Sequence, residues 1–197
     1  MYLYGASGHA RVITDILAAN GVRVDAFVDD NVRLAELDGI PVVHDATGLS
    51  PMIVSIGNNR IRRQIAVGLC CAFATAVHPR ATVSPSASVG EGTVVMAGAT
   101  VNAAARVGRH CIINTNASVD HECVLGDFVH ISPNVALCGN VHVGEGTHIG
   151  VGASVIPGVK IGEWVTVGAG ATVISDLPDG VTAVGTPARI IKQIKRD

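Results

Sequence analysis

A branched aliphatic residue occupies every sixth position of the chain from Val77 to Val173. The residue two places before each of them is small or β-branched, from Thr75 to Ala171. Because residues two apart on a strand point to the same face, each hexapeptide predicts a short strand with one large and one small inward side chain. The seventeen aliphatic positions are Val77, Val83, Val89, Val95, Val101, Val107, Ile113, Val119, Leu125, Ile131, Leu137, Val143, Ile149, Val155, Ile161, Val167 and Val173.

The period of six predicts a triangular prism. Three hexapeptides close one coil of 18 residues, so seventeen repeats make between five and six coils of a parallel β-helix. At a strand spacing of about 4.8 Å, the prism is roughly 27 Å tall. A leucine-rich repeat needs a period of about 20 to 29 residues and does not fit. Glycine often follows the aliphatic residue, as at Gly90, Gly108 and Gly126, which suits a tight corner.

The first 76 residues alternate between strand and helix patterns instead. Short apolar strands are expected at 2–4, 22–28 and 52–56, and helices directly after the turn Gly5–His9 and from about residue 60 to 69. Such an alternation is typical of a small parallel α/β unit. The sequence therefore predicts two architectures, an α/β unit in front of a β-helix.

The turn at the start of the first helix carries candidate phosphate-binding residues. A strand, a glycine-rich turn and a helix start direct backbone N–H groups and the helix dipole toward an anion. Ser7, Gly8 and His9 occupy that turn, but the glycine spacing lacks the dinucleotide fingerprint, which disfavours NAD. Asp29 and Asp30 follow the second strand, where an acidic residue commonly meets a ribose or base edge. A tight turn without a ligand, with His9 only capping or solvating the helix, is the alternative.

Composition narrows the possible functions. Hydrophobic residues make up 48% of the 197 residues, charged residues only 15%, and the formal net charge is −2. This balance argues against a general role at nucleic acids or membrane surfaces. The five cysteines show no metal-binding or disulfide spacing, and no signal peptide or membrane span is recognisable. We expect a reduced, cytoplasmic protein that uses no metal.

Histidines are the titratable groups that stand out in the predicted prism. His121 is flanked by Asp120 and Glu122 near a predicted corner, an arrangement suited to a general base whose tautomer is held by an acid. A solvated surface pair is the alternative. His130 and His148 are 18 residues apart and should stack in successive coils. Zinc-binding prisms typically carry an H-x-x-x-x-H pair, which is absent, so a structural or ligand-contact role is favoured for His130.

Taken together, these motifs resemble the sialic-acid O-acetyltransferase-like group of hexapeptide transferases, which includes the nucleotide-sugar N-acetyltransferases of bacillosamine and perosamine synthesis. The resemblance covers nearly the entire chain. It implies a Rossmann-like nucleotide-sugar-binding domain over 1–76, a left-handed parallel β-helix over 77–178 and a C-terminal tail over 179–197. The matching segments are Gly5–His9, Asp29–Asp30, Ile56–Asn59, Asn114–Thr115, Asp120–Cys123, Phe128–Ser132, Gly139–Asn140 and Gly185–Arg189.

The resemblance also implies a homotrimer with active sites between neighbouring prisms, and it assigns roles to residues. Acetyl-CoA, the cosubstrate, is expected to lie along the prism with its thioester near His121 and His130. The expected substrate-binding residues are Ser7, Gly8 and His9 at the diphosphate, Asp29 and Asp30 at the ribose and base, Gly57 and Asn58 in the matching loop, and Asn114 with Glu122 at the sugar. The expected cofactor-binding residues are His130, Gly139 with its N–H at the thioester carbonyl, and Val151, Gly168 and Ala169 along the pantetheine.

The implied reaction is N-acetylation of a nucleotide-linked 4-amino-4,6-dideoxy sugar, with His121 as general base and Glu122 as its partner. O-acetylation of sialic acid or another sugar hydroxyl, a zinc hydratase and a non-catalytic prism are the alternatives. A thiol nucleophile at Cys123 or Cys138 is disfavoured, because Cys123 lies on the inward track of small residues. The basic segment 190–196 is predicted to be a short helix or strand that meets the CoA phosphates or simply ends in solvent.

Overall fold

A computed structural model describes residues 1–193. Its front domain is a five-stranded sheet in the order β3-β4-β2-β1-β5, in which β1 lies parallel between β2 and β5. Only the β3–β4 hairpin is antiparallel. The elements are β1 Tyr2–Tyr4, α1 Gly8–Ala19, β2 Ala26–Val28, β3 Glu36–Leu37, β4 Ile40–Val43, β5 Met52–Val54 and α2 Asn59–Gly68.

The front domain differs from the sequence-based expectation in two places. The second strand is only Ala26–Val28, because the N–H of Val22 donates to the carbonyl of Leu17 and closes the end of α1 instead of pairing in the sheet. The β3–β4 hairpin was not predicted, since its strands are short and β3 is mostly exposed. The remaining strands and both helices lie within a few residues of their expected positions.

The prism begins at Ala76 and consists of two-residue strands at six-residue intervals, as the aliphatic period predicts. Every one of the seventeen aliphatic positions is the second residue of a strand. The strands are β6 Ala76–Val77, β7 Thr82–Val83, β8 Ser88–Val89, β9 Val94–Val95, β10 Thr100–Val101, β11 Arg106–Val107, β12 Ile112–Ile113, β13 Ser118–Val119, β14 Val124–Leu125, β15 His130–Ile131, β16 Ala136–Leu137, β17 His142–Val143, β18 His148–Ile149, β19 Ser154–Val155, β20 Lys160–Ile161, β21 Thr166–Val167 and β22 Thr172–Val173.

These strands form three parallel sheets, which are the faces of the prism. The first face contains β6, β9, β12, β15, β18 and β21. The second face contains β7, β10, β13, β16, β19 and β22, and the third contains β8, β11, β14, β17 and β20. Residues 18 apart are in register, as with His130 and His148. The inward aliphatic and small residues form one continuous core along the prism.

Both the backbone conformation and the space between coils restrict which residues occupy the corners of the prism. The fourteen corner residues from Gly92 to Gly170, six apart, all have positive φ. Six of them are glycine and three are asparagine, the residues that adopt this conformation most easily. The glycines that directly follow the aliphatic residue serve another purpose. A β-carbon at Gly108 would stand 2.6 Å from the backbone of Gly126 in the next coil, so close stacking of coils, and not turn geometry, requires them.

The chain after β22 remains part of the first face. β23 Val181–Val184 pairs in parallel with β21, and β24 Arg189–Gln193 pairs antiparallel with β23. Residues 190–193 of the predicted basic segment therefore belong to a strand, and residues 194–196 lie outside the described part. Within residues 1–193, no helix is long and apolar enough to cross a membrane.

The front domain covers the early part of the first face. The outward side chains of Val94, Met96 and Ile112 are buried in one cluster with Ile13 and Ile16 of α1. The first face is therefore the face on which front-domain residues and prism residues meet.

Candidate active site

The carboxyl ends of β1 and β5 lie side by side and form one edge of the candidate site. Because α1 packs on one side of the sheet and α2 on the other, the chain leaves these neighbouring parallel strands toward opposite sides, the arrangement that forms a ligand crevice at the switch point of doubly wound sheets. Gly5 turns the chain out of β1 with φ +106°, and its α-carbon lies against the side chain of Ile56 beyond β5. Ser7 is the exposed N-cap residue of α1 and makes no side-chain capping bond. The first-turn N–H groups at Gly8 and His9 thus point toward the crevice.

Asp29 and Asp30 lie at the same edge, at the end of β2, but their carboxylates already have partners. Asp29 accepts hydrogen bonds from the N–H of Ala6 at 2.8 Å and of Asn31 at 2.9 Å. Asp30 accepts one from the hydroxyl of Tyr4 at 2.7 Å, and this bond raises the pKa of Tyr4 to about 12. Asp29 therefore fixes the turn after β1, and Asp30 keeps the more exposed carboxylate of the two.

His130 faces the crevice from β15 of the prism. Its Nε2 lies 3.1 Å from the side-chain amide nitrogen of Asn114, which donates to it, and its ring stacks on His148 with centroids 4.8 Å apart. Burial, together with the positive charge of nearby Arg62, lowers the pKa of His130 to about 3. His130 is therefore neutral at physiological pH. The stacking confirms the expectation drawn from the 18-residue spacing.

His9 approaches His130 from the front domain. Burial lowers the pKa of His9 to about 4, so it is also neutral. Its Nε2 is buried and has no hydrogen-bond partner within residues 1–193. A buried nitrogen without a partner is uncommon in folded proteins.

A cleft of about 410 Å³ lies between the loop after β5 and the first face. Gly57, Asn58 and Arg60 form its front-domain wall, and His130 and His148 stand on the prism side. Asn58 is also the N-cap of α2, because its side-chain oxygen accepts hydrogen bonds from two N–H groups of the first turn. Gly57 and Asn58, two of the predicted substrate-binding residues, therefore line this cleft.

His121 lies at the corner between the second and third faces, in the turn between β13 and β14. Its Nδ1 is 3.2 Å from Oε2 of Glu122, and both side chains are more than half exposed. Its backbone N–H donates to the carboxylate of Asp120 at 2.8 Å, and the same oxygen accepts from the side chain of Asn102 at 2.9 Å. The acid pairing predicted for His121 is therefore present. Glu122 pairs with the imidazole ring, and Asp120 accepts a hydrogen bond from the backbone N–H.

Gly139 lies beside His121 in the next coil. Within residues 1–193, the N–H of Gly139 has no hydrogen-bond acceptor. The neighbouring thiols are poorly suited to attack. Cys123 is fully buried, with its pKa raised by burial, and its S–H donates to the carbonyl of Cys138 at 3.2 Å.

The predicted cofactor-binding residues do not lie together in one chain. Gly168 and Ala169 lie at the corner between the first and second faces, one coil beyond Val151, and the N–H of Gly170 donates to the carbonyl of Val151. His121 and Gly139 lie at the corner opposite the first face, while His130 is on that face. In a triangular prism these groups point in different directions, so a single chain presents two separated halves of the predicted site.

Sequence reasoning missed the residues that join the two domains. Asn59 and Arg62 of α2 are buried and hydrogen-bond to the prism, and Trp164 stacks under Arg60 with the guanidinium carbon 4.5 Å from the ring centre. In the sequence of α2, Arg62 is one of several arginines, and the helical pattern does not distinguish it from the others. Among residues 1–193, no cluster of His, Cys, Asp and Glu is arranged to hold a metal ion.

Comparisons with known proteins match both halves of the chain. Residues 1–69 match the family described as PglD N-terminal domain, and residues 140–175 match bacterial transferase hexapeptide (six repeats). The acetyltransferase domain of PglB from Neisseria gonorrhoeae is 42% identical over 96% of this chain and 98% of its own length, with a TM-score of 0.91. The chain belongs to the hexapeptide-repeat acetyltransferase family.

Two further relatives of this hexapeptide-repeat acetyltransferase are informative. A histidine-to-asparagine variant of perosamine N-acetyltransferase from Caulobacter crescentus, solved with CoA and GDP-perosamine, is 44% identical over 98% of this chain and 96% of its own, with a TM-score of 0.91. UDP-N-acetylbacillosamine N-acetyltransferase from Bacillus subtilis (strain 168) is 45% identical over 108 residues, and the match spans about half of its length. The left-handed parallel β-helix and the Rossmann-like front domain implied by the resemblance are confirmed.

Proposed function

We propose that this protein transfers the acetyl group of acetyl-CoA to the amine of a nucleotide-linked 4-amino-4,6-dideoxy sugar. One observation carries the proposal: the similarity to perosamine N-acetyltransferase runs through both domains, and that protein was solved with CoA and a nucleotide amino sugar. A nucleotide-binding front domain would be superfluous for a free sugar. O-acetylation is the alternative that the same fold could support.

In this proposal, the crevice between β1 and β5 receives the nucleotide diphosphate. The open N–H groups of Gly8 and His9 suit the phosphate oxygens, and the unpartnered Nε2 of His9 suits a hydroxyl donor or, in the tautomer that carries the proton on Nε2, a phosphate oxygen as acceptor. The exposed carboxylate of Asp30 suits the ribose or the base edge. The sugar then extends toward the cleft walled by Gly57 and Asn58, and toward Asn114 on the first face.

The transfer requires a base that removes a proton from the amine and a hydrogen-bond donor that stabilises the oxyanion. With its Nδ1–H donating to Glu122, the imidazole of His121 has Nε2 free to accept the proton of the attacking amine. The nitrogen bonds to the thioester carbon, and the negative charge that develops on oxygen is stabilised by the N–H of Gly139. Collapse of the intermediate forms the amide, breaks the carbon–sulfur bond and releases CoA, whose sulfur takes the proton back from His121. No covalent enzyme intermediate is needed.

A homotrimer completes the site in this proposal. One chain holds His121 and Gly139 at a corner remote from the first face, whereas the nucleotide crevice, Asn114 and His130 lie on that face. Cyclic packing of three prisms would bring the corner of one chain against the first face of the next. The same arrangement would place pantetheine along Val151, Gly168 and Ala169. We also place the reaction in the cytoplasm, because the five cysteines are unpaired.

The decisive experiment is a mass-spectrometric acceptor screen. Purified protein is incubated with acetyl-CoA and, separately, UDP- and GDP-linked 4-amino-4,6-dideoxy sugars and free sialic acid. The proposal expects the gain of one acetyl group on a nucleotide amino sugar, in a product that resists hydroxylamine as an amide does. Transfer to sialic acid alone, or a hydroxylamine-labile product, would establish the O-acetyltransferase instead. If the protein acetylated none of these acceptors, the proposal would be overturned.

A further inference from the structure

Arg62 is the largest fully buried side chain of the protein, with 1% of its surface exposed. It extends from α2 into the junction between the front domain and the prism. Within residues 1–193, no carboxylate forms an ion pair with it. A buried cation without a counter-ion is costly, so the groups around it must compensate in another way.

Three acceptors for the Arg62 guanidinium come from the front domain. One terminal nitrogen donates to the carbonyls of Ile56 at 2.9 Å and Gly57 at 3.2 Å. The other donates to the side-chain oxygen of Asn59 at 2.9 Å. Arg62 therefore holds the loop after β5, whose residue Gly57 lines the cleft together with His130.

Two more acceptors for the guanidinium are backbone carbonyls at the same corner of two successive coils of the prism. Nε donates to the carbonyl of His110 and a terminal nitrogen to the carbonyl of Phe128, each at 2.8 Å. All five N–H donors of the guanidinium are thereby used, in the planar fork that only arginine presents. Lysine has three donors at one point and cannot reproduce this arrangement.

Asn59 adds a second connection from the same helix. Its side-chain nitrogen donates to the carbonyls of Gly146 at 3.0 Å and Thr147 at 3.2 Å, in the coil after that of Phe128. Together, Arg62 and Asn59 bind α2 to three consecutive coils. These contacts lie directly behind the cleft lined by Gly57 and His130.

We propose that Arg62 is a positioning residue that fixes the distance between the nucleotide crevice and the first face, and thereby places the acceptor amine for transfer. The inference rests on the proposed function. An acceptor bound at its diphosphate by one domain reaches the reacting carbon only if the other domain is held at a constant distance. Misplacement by about 1 Å can cost on the order of 100-fold in rate.

The test compares Arg62→Lys, Arg62→Met and the control Arg63→Met. Arg63 is the next residue of α2 and is half exposed, and it meets the prism at the surface, through an ion pair with Glu145 and the ring of Trp164 5.9 Å away. For the nucleotide-linked acceptor we expect kcat/KM to fall about ten-fold in Arg62→Lys and about 100-fold in Arg62→Met. The KM for acetyl-CoA should stay within about two-fold, and Arg63→Met should match wild type.

A second acceptor separates positioning from loss of folded protein. The free amino sugar, assayed at high concentration, lacks the diphosphate and makes no use of the N–H groups of Gly8 and His9, so its turnover should fall less in Arg62→Lys than that of the nucleotide-linked acceptor. Equal losses with both acceptors, or wild-type kinetics in Arg62→Lys, would overturn the positioning role.

Failure of the proposed function has a different signature. Wild-type protein would then acetylate no nucleotide amino sugar, and hydrogen exchange of residues 56–59 becomes the deciding measurement. Exchange at least ten-fold faster in Arg62→Lys than in Arg63→Met would support the positioning of this loop by Arg62. Equal exchange in the two variants would overturn it.

Discussion

The imidazole of His121 lies against the backbone of Gly139, so closely that a β-carbon on Gly139 would stand 2.5 Å from both Cε1 and Nε2 of the ring. The two residues are 18 apart and therefore occupy equivalent positions in successive coils. The absence of a side chain at Gly139 makes room for the proposed base. The ring consequently occupies the space that a side chain at Gly139 would fill.

Gly139→Ala tests this relationship. The added methyl group cannot coexist with the observed ring position, so His121 must rotate away, and kcat should fall about ten-fold or more while the fold is kept. Gly68→Ala is the matched control, because a β-carbon there meets no atom within 4 Å. Steady-state kinetics with both substrates measure the effect. Wild-type kcat in Gly139→Ala would mean that the observed ring position is unimportant for turnover.

His121→Ala removes the proposed base itself. We expect kcat to fall by on the order of 100-fold or more, the usual contribution of a general base, with little change in the KM of either substrate. His142→Ala is the control, since His142 lies on the third face, where the carbonyl of Asn140 is the one hydrogen-bond partner of its Nδ1 among residues 1–193. Turnover near that of wild type in His121→Ala would exclude the assigned role.

Mixed trimers test whether the site is shared between chains. His121→Ala disables the corner and Asn114→Ala disables the first face, so each variant alone should have little activity. Random co-assembly of equal amounts should restore about a quarter of wild-type activity, because about three quarters of the trimers are mixed and each mixed trimer has one of its three sites with both halves intact. The assay is performed on co-expressed, differently tagged chains. No recovery in trimers carrying both tags would show that each site belongs to one chain.

Acid should destabilise the protein through His9 and His130. Burial holds their folded-state pKa values at about 4 and about 3, below the unfolded value near 6.5. The stability that these two histidines contribute is fully present above about pH 6.5. It is lost as pH falls toward these values, because the unfolded chain then binds protons that the folded chain does not.

The expected loss is at most about 1.4 kcal/mol per pH unit for each of the two histidines. Urea denaturation at pH 7, 6 and 5 measures it, and His130→Gln should show a shallower decline than wild type. A midpoint independent of pH over this range would contradict the assigned pKa values.

The prism was predictable from local sequence because its structure is local. Each hexapeptide repeats the same strand, corner and inward side chains, so the positions of Val119 and His121 follow from counting. The same counting placed His130 beside His148, and the structure bears this out at 4.8 Å. The two short strands of the β3–β4 hairpin lacked such a repeat, and their existence depends on pairing with each other and with β2.

The sequence by itself therefore determined the repeat, the coil register and which residues stand at a corner, since these depend on spacing along the chain. Only the tertiary structure decided that Arg62 is buried among carbonyls of both domains and that His9 has an unpartnered nitrogen beside the crevice. It also showed that His121 and His130 lie on different sides of one prism. The reason is physical: burial and hydrogen-bond satisfaction at these residues come from groups tens of positions away, whose approach is set by how the front domain packs on the first face.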